Sequence, residues 1–212
     1  MKKKSASNKV LISSIIFIVT FALLIGVIYY FYFFPKIEVK DIDSTVNLTS
    51  KDIISKFSPK DVNISSKEIA VFASTKFTED ELTDLFLLSL QEMPEVKKYV
   101  KGIKVDIDNN LINLYANINY NNIPLEANLI FQGKAENGKG VFHYKEGKVG
   151  FFNISKEMIF SNLQDNSIMK INKTNGDIIL GIEYVNLLKI TDIIVNNDSI
   201  EISFKGSLKF SK

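Results

Sequence analysis

Residues 10–34 form 25 consecutive positions without a charged side chain, rich in Ile, Phe, Leu and Val. As an α-helix this run is about 37 Å long, enough to cross a hydrocarbon layer of about 30 Å with some tilt. A cleavable signal peptide has a shorter apolar region, about 7–15 residues, followed by small residues at the cleavage site. Here the run ends in aromatic residues and Pro35. The sequence predicts one membrane-spanning helix, with a cleaved signal sequence as the alternative.

Charged residues on the two flanks predict the orientation of this span. Four lysines and no acidic residue precede it, whereas lysines alternate with Glu38, Asp41 and Asp43 after it. By the positive-inside rule the N-terminus is cytoplasmic, and the rest of the chain after Pro35 is extracytoplasmic at the cell membrane. At the outer end of the span, an aromatic belt at the membrane interface is predicted from Tyr29, Tyr30 and Tyr32.

Composition excludes several classes of function. The chain has no cysteine, no arginine and one histidine, His143, so thiolate chemistry, sulfur-ligated metals and histidine triads lack their residues. Removing the four lysines of residues 1–34 from 26 leaves 22 against 24 acidic residues, a net charge of −2. This mixed charge does not predict a nucleic-acid partner. No catalytic residue, metal site or cofactor is predicted.

The chain is predicted to divide into four segments. They are a cytoplasmic tip (1–9), the membrane helix (10–34), a stalk with short elements (35–67) and an extracytoplasmic α+β domain (68–212). Within the stalk, residues 50–57 are predicted to form a short helix. A strand is predicted at 68–74, where Ile69, Val71 and Ala73 alternate with other residues.

A helix is predicted at residues 78–92, because Thr78 and Glu81 form a capping box before a run of leucines. Apolar residues cover more than one turn of it, including Leu85 and Phe86. A helix that is apolar nearly all round must be enclosed, either by a curved sheet or by a bound apolar molecule. A plain core helix is the alternative.

Two Asn-Asn pairs predict β-hairpins with type I′ turns, which need positive φ at both central residues. The turn at Asn109-Asn110 aligns Ile107 with Ile112, and therefore Val105 with Leu114 and Ile103 with Ala116. A second turn at Asn121-Asn122 aligns residues 118, 116, 114 and 112 with residues 125, 127, 129 and 131. Both turns place the same side of the middle strand inward, which supports the register.

The remaining sequence is rich in short strands. A loose loop is predicted at 133–140, a short helix capped by Ser155, and strands at 141–145, 148–152, 169–172, 177–184, 190–195 and 200–210. The fold class is therefore α+β: a transmembrane helix followed by a curved antiparallel sheet packed around an apolar helix.

Three motifs in the sequence do not predict a functional site. The glycine-rich stretch at 133–140 lacks the hydroxyl residue of a phosphate loop, and the acidic stretch from Asp106 lacks the glycine and glutamate of a calcium loop. The acids Glu79, Asp80, Glu81 and Asp84 lie at a helix start, where helix capping explains them without catalysis.

The order of elements resembles the YpmS-like family of single-span bacterial envelope proteins. The resemblance runs from the stretch that begins at Phe77, through residues 105–115 and 123–125 and Asn137-Gly138, to residues 193–204. The chain departs from the family near Asn153-Ile154, where a proline is usual. The family has no defined activity, and the resemblance implies an anchored envelope protein similar in shape to extracytoplasmic lipid-handling domains.

The leading hypothesis is a noncatalytic, membrane-anchored module that binds a lipid or an apolar segment of an envelope protein. The residues predicted to contact this apolar ligand or partner are Leu85, Phe86, Phe131, Phe142, Tyr144 and Phe151. The alternatives are a structural or assembly scaffold without a ligand and, third, a carboxylate-based hydrolase.

The orientation of the span is testable by protease protection. Because the lysines lie before the span, protease added to intact spheroplasts is expected to digest the region after Pro35. Immunoblotting with antibodies against the two ends checks this, and protection of the C-terminal region would contradict the predicted topology.

Overall fold

The computed structural model describes residues 4–46, 56, 58–65, 67–165, 169–180 and 188–209. Helix α1 (Lys4–Tyr32) contains all but the last two residues of the apolar run. Its segment Lys9–Tyr32 has a mean hydropathy of 2.9, with none of its most apolar stretch buried. The helix is therefore long and apolar enough to cross a membrane. The predicted helix at 50–57 lies outside the described residues, apart from Lys56.

Short helices and antiparallel strands make up the rest of the described chain. The helices are α2 (Glu79–Gln91), α3 (Pro94–Lys97) and α4 (Lys156–Phe160). The strands are β1 (Lys40–Asp41), β2 (Ser58–Ile64), β3 (Glu68–Thr78), β4 (Val100–Asp108), β5 (Leu111–Tyr120), β6 (Ile123–Glu136), β7 (Lys139–Val149), β8 (Phe152–Asn153), β9 (Met169–Asn172), β10 (Asp177–Leu180), β11 (Leu188–Val195) and β12 (Ser199–Lys209).

Two antiparallel sheets are formed by the described strands. The first has the order β1-β4-β5-β6-β7-β10-β9, with β8 paired to β7, and the second has the order β11-β12-β3-β2. The α+β class with a large antiparallel sheet is therefore confirmed. Strands β1 and β2 both come from the segment 35–67, so part of the predicted stalk is built into the sheets.

Both predicted Asn-Asn turns are present. Asn109 and Asn110 have φ values of 52° and 62°, and Asn121 and Asn122 have 49° and 65°. The registers are the predicted ones, from Ile107 opposite Ile112 to Ile112 opposite Phe131. Alternation of apolar residues and turn geometry together determine this part of the sheet.

The prediction of a loose loop at 133–140 is wrong. Strand β6 continues to Glu136, Asn137 and Gly138 form a two-residue turn with φ values of 52° and 78°, and β7 begins at Lys139. Asn-Gly is itself a strong hairpin signal. Gly133 and Gly140 lie within strands because the second sheet approaches them closely: a Cβ atom on Gly140 would lie 3.1 Å from the side chain of Ile193.

Later elements follow the predictions with changes at their ends. The predicted strands 141–145 and 148–152 are largely one strand, β7, and the Ser155 hydroxyl accepts the Met158 N–H at the start of α4, as predicted. Of the predicted strand 177–184, only residues 177–180 are described, as β10.

Helix α2 has the predicted capping box between Thr78 and Glu81 and packs mainly against β4. Leu82 and Leu87 are buried, whereas Leu85 and Phe86 keep part of their surface exposed. The predicted enclosure of this helix on all sides is therefore not confirmed. Its buried side joins a core that extends through both sheets to Phe204.

The β4–β5 turn provides a test of register. Replacing Asn110 with Val is expected to destabilise the protein by about 1–2 kcal/mol, because a β-branched residue disfavours positive φ. Asn110→Gly is the matched control and should be tolerated. Denaturant unfolding measures both variants, and equal stabilities would refute the importance of this backbone conformation.

Candidate functional site

The outer end of α1 is joined directly to the first sheet. The Tyr29 hydroxyl donates to the Pro124 carbonyl at 2.8 Å, and the Glu126 N–H donates to the Phe33 carbonyl at 2.9 Å. Strand β6 therefore begins alongside the last turn of the helix. We call this contact region the anchor junction; it consists of residues 29–37, 123–126 and 150–152.

A carboxylate lies at the centre of the anchor junction. One oxygen of Glu126, Oε2, accepts the backbone N–H groups of Lys36 and Ile37, both at 2.8 Å. The Lys36 ammonium in turn donates to the Phe31 carbonyl at 2.7 Å, near the C-terminal end of α1 where a positive charge is favourable. The chain leaving α1 is thus held by hydrogen bonds over its first residues.

Aromatic rings form the second part of the junction. Phe33 lies with its ring centroid 5.1 Å from that of Phe151 and 5.8 Å from that of Phe152. Gly150 makes this approach possible, because its φ is +60° and a Cβ atom there would lie 2.6 Å from the Phe33 ring. Phe151 and Phe152 nevertheless remain 56% and 60% exposed.

The tyrosines predicted for the membrane interface all lie at this end of α1. Tyr29 makes the hydrogen bond to the sheet, Tyr30 stacks on Phe34 at 5.8 Å, and Tyr32 contacts Phe151 at 5.7 Å. Two of them thus contact the folded domain, which the predicted belt did not include.

The residues predicted to contact an apolar ligand or partner do not form one surface. Phe131, Phe142 and Tyr144 are buried in the core. Leu85 and Phe86 are partly buried on α2 and pack against that core. Phe151 alone of the six is mainly exposed, and it lies at the anchor junction. Ligand contact by these residues stays a prediction.

The acidic residues at the start of α2 have structural partners. Glu79 Oε1 accepts the Ile107 N–H at 2.7 Å, and the Thr83 hydroxyl accepts the Val105 N–H at 2.9 Å. These contacts satisfy the edge of β4 beyond the short strand β1. Asp84 forms an ion pair with Lys40.

Glu81 at the same helix start also has a partner outside the helix. Its carboxylate pairs with Lys56 and accepts the Thr78 N–H. Burial is the largest single influence on the Glu81 pKa and acts to raise it, but these hydrogen bonds and the Lys56 charge together lower the pKa below its usual range. Glu81 therefore stays ionised at neutral pH.

A cleft of about 390 Å³ with both polar and apolar lining opens near the middle of β7. At its edge, His143 Nδ1 lies 2.6 Å from Asp177 Oδ1 on the neighbouring strand. The Ser155 hydroxyl is used as a helix cap, and the Tyr144 hydroxyl donates to the Ile154 carbonyl at 2.6 Å. Burial, and then the charges of Glu146 and Glu157, raise the pKa of Tyr144. The hydrogen bonds of Tyr144 and Ser155 hold the loop between β8 and α4 in place, whereas the His143–Asp177 contact joins β7 to β10.

Over the part of the chain that the structure describes, no three His, Asp or Glu side chains come close enough to hold a metal ion together. Comparison of the chain with known protein families, with curated proteins and with solved structures finds no match. The candidate site is therefore identified from the structure alone. We choose the anchor junction because hydrogen bonds and aromatic contacts between distant parts of the chain meet there.

Two of its residues have little or no sequence signal. Glu126 alternates with Leu125 and Ala127 as any solvent-facing strand residue does, and its backbone partners are 90 and 89 positions away. Gly150 carries a weak signal of a special contact: it precedes two phenylalanines at a turn, and turns are usually formed by Gly, Pro, Asn, Asp and Ser.

The Glu126 contacts can be tested by hydrogen exchange on the full-length protein. In Glu126→Ala the amides of Lys36 and Ile37 are expected to exchange at least about tenfold faster, because hydrogen bonds to a charged group contribute about 1.5–3 kcal/mol. Glu136→Ala, at the opposite end of the same strand, is the matched control. Unchanged exchange in Glu126→Ala would contradict the junction.

Proposed function

We propose that this chain is a single-pass, membrane-anchored module of the cell envelope with a cytoplasmic N-terminus and an extracytoplasmic folded domain. It is noncatalytic, and it contacts a lipid or an apolar segment of a membrane partner through the aromatic residues of the anchor junction. The exposed apolar surface of α1 and the lysines before it support the membrane placement.

The observation that carries this proposal is the position of Phe151 and Phe152. Both rings are more than half exposed, and both pack against Phe33, directly after the membrane-spanning helix. Large exposed aromatic residues in water are unfavourable, and contiguous apolar patches mark sites of protein or membrane contact. The other predicted contact residues lie mainly in the core, so the proposed contact is at the surface next to the membrane.

A second function, a scaffold without a ligand, is favoured by the hydrogen bonds of Glu126. These hydrogen bonds fix the orientation of the domain relative to α1. A scaffold needs such a fixed orientation, whereas a ligand-binding domain can work on a flexible linker. The hydrolase hypothesis has less support, because Glu79, Glu81 and Asp84 each have a structural partner.

Native mass spectrometry of the detergent-extracted protein tests the proposal. The wild type is expected to retain lipid adducts, and Phe151→Ser should reduce their fraction because it removes an apolar contact next to the anchor. Val62→Ser is the matched control, since Val62 is 50% exposed but lies on β2 in the second sheet.

Two outcomes would contradict lipid contact at this site. A wild-type spectrum with only the mass of the bare protein would favour the scaffold. An equal loss of adducts in Phe151→Ser and Val62→Ser would show that the aromatic residues of the junction have no special role.

A further inference from the structure

In the described part of the first sheet and directly beside its strands, the exposed large apolar side chains lie at one end. At this end Tyr99 accepts the Asn119 N–H through its carbonyl at 2.7 Å, and the chain turns between β5 and β6. Five large apolar side chains here are about half exposed: Tyr99, Tyr120, Ile123, Phe151 and Phe152. We call these five residues the membrane-facing edge.

The opposite end of the same sheet has a different character. Its two turns expose Asp108, Asn109 and Asn110 in one and Glu136, Asn137 and Lys139 in the other. The β4–β5 and β5–β6 turns share the same Asn-Asn pair and the same backbone conformation. Turn geometry therefore explains why asparagines occupy both turns. It does not explain why exposed apolar residues, Tyr120 and Ile123, flank only the β5–β6 turn.

The contacts between α1 and β6 show where this edge lies along the axis of the helix. The Tyr29 hydroxyl donates to the Pro124 carbonyl, and the Glu126 N–H donates to the carbonyl of Phe33, the residue directly after α1. The contacting residues are therefore four apart along the helical part of the chain and two apart on the strand. These separations correspond to about 6 Å along the helix and about 6–7 Å along the strand. Helix and strand therefore run side by side in the same direction.

The β5–β6 turn consequently lies toward the membrane centre from Pro124. Each strand residue adds about 3.3 Å, so Ile123 and the Asn121-Asn122 pair continue inward past the contact with Tyr29. Tyr29 is three residues before the end of α1. A helix segment of 24 residues is about 36 Å long, about 6 Å more than the hydrocarbon layer. The tyrosines at its outer end favour placement of its last turn in the interfacial region.

From this geometry we propose that the membrane-facing edge inserts into the interfacial region of the outer leaflet of the protein's own membrane. Its partner is the phospholipid bilayer, and Tyr120 and Ile123 form a second point of lipid contact beside Phe151 and Phe152. The inference rests on the proposed function and extends it from a local contact to a whole edge. Tyrosine side chains suit this position, where one end is apolar and the other hydrated.

The chain has no tryptophan, so single tryptophans report local environment without background. Tyr120→Trp and Ile123→Trp are made in the full-length protein, which is reconstituted in phosphatidylcholine–phosphatidylglycerol nanodiscs with and without brominated acyl chains. Asp108→Trp is the matched control, at the Asn-Asn turn on the opposite end of the sheet. Thermal unfolding against the wild type checks that each variant is folded.

Both edge variants are expected to show blue-shifted emission and strong quenching by brominated lipid, whereas Asp108→Trp should show neither. Two variants at one turn keep the test valid if one of them fails to fold. Unquenched emission from folded Tyr120→Trp or Ile123→Trp would overturn insertion of the turn.

Phe151→Trp separates this inference from the proposed function. If Phe151→Trp is quenched and the β5–β6 turn variants are not, the local lipid contact stands and the inserted edge is rejected. If none of them is quenched, lipid contact at the anchor junction is rejected as well, because the nanodiscs contain lipid and no protein partner.

Discussion

The hydrogen bonds between Glu126 and the chain that leaves α1 determine how this helix is placed against the first sheet. The last carbonyls of a helix and the amides that follow it lack helical partners and must find others. Here the Phe33 carbonyl accepts from Glu126, and the Lys36 and Ile37 amides donate to the carboxylate of the same residue. One strand residue thus satisfies three backbone groups directly after α1, so this helix and the first sheet are joined.

Backbone groups also need partners at the edge of the first sheet, where β4 extends past the two-residue strand β1. Unpaired strand amides promote aggregation unless they are covered. Thr83 and Glu79 of α2 accept the free Val105 and Ile107 N–H groups. The acidic cluster that resembles a catalytic group in the sequence is therefore explained in part by sheet protection. The apolar side of the same helix completes the core.

Local rules account for the parts of the fold that were predicted from sequence. The Asn109-Asn110 turn and its register follow from positive φ and strict alternation, which act within a few residues. The 133–140 loop was mispredicted because Gly133 and Gly140 serve a contact with Ile193, more than 50 residues away in the chain. The anchor junction was not predicted for the same reason: the partners of Glu126 lie about 90 residues earlier.

The apolar residues of α2 and its neighbours led to the hypothesis of a bound apolar ligand inside the fold. In the structure, the exposed aromatic surface lies elsewhere. Phe131 and Phe142 are buried in the core that the two sheets and α2 form together. Packing within the protein therefore explains these two residues without a ligand. Exposed aromatic surface remains where the first sheet meets α1, at Phe151 and Phe152. A membrane beside that surface would cover it without any cavity, because the bilayer is present wherever α1 spans it. Under the proposed function, lipid would supply the burial that a soluble domain obtains from its own chain.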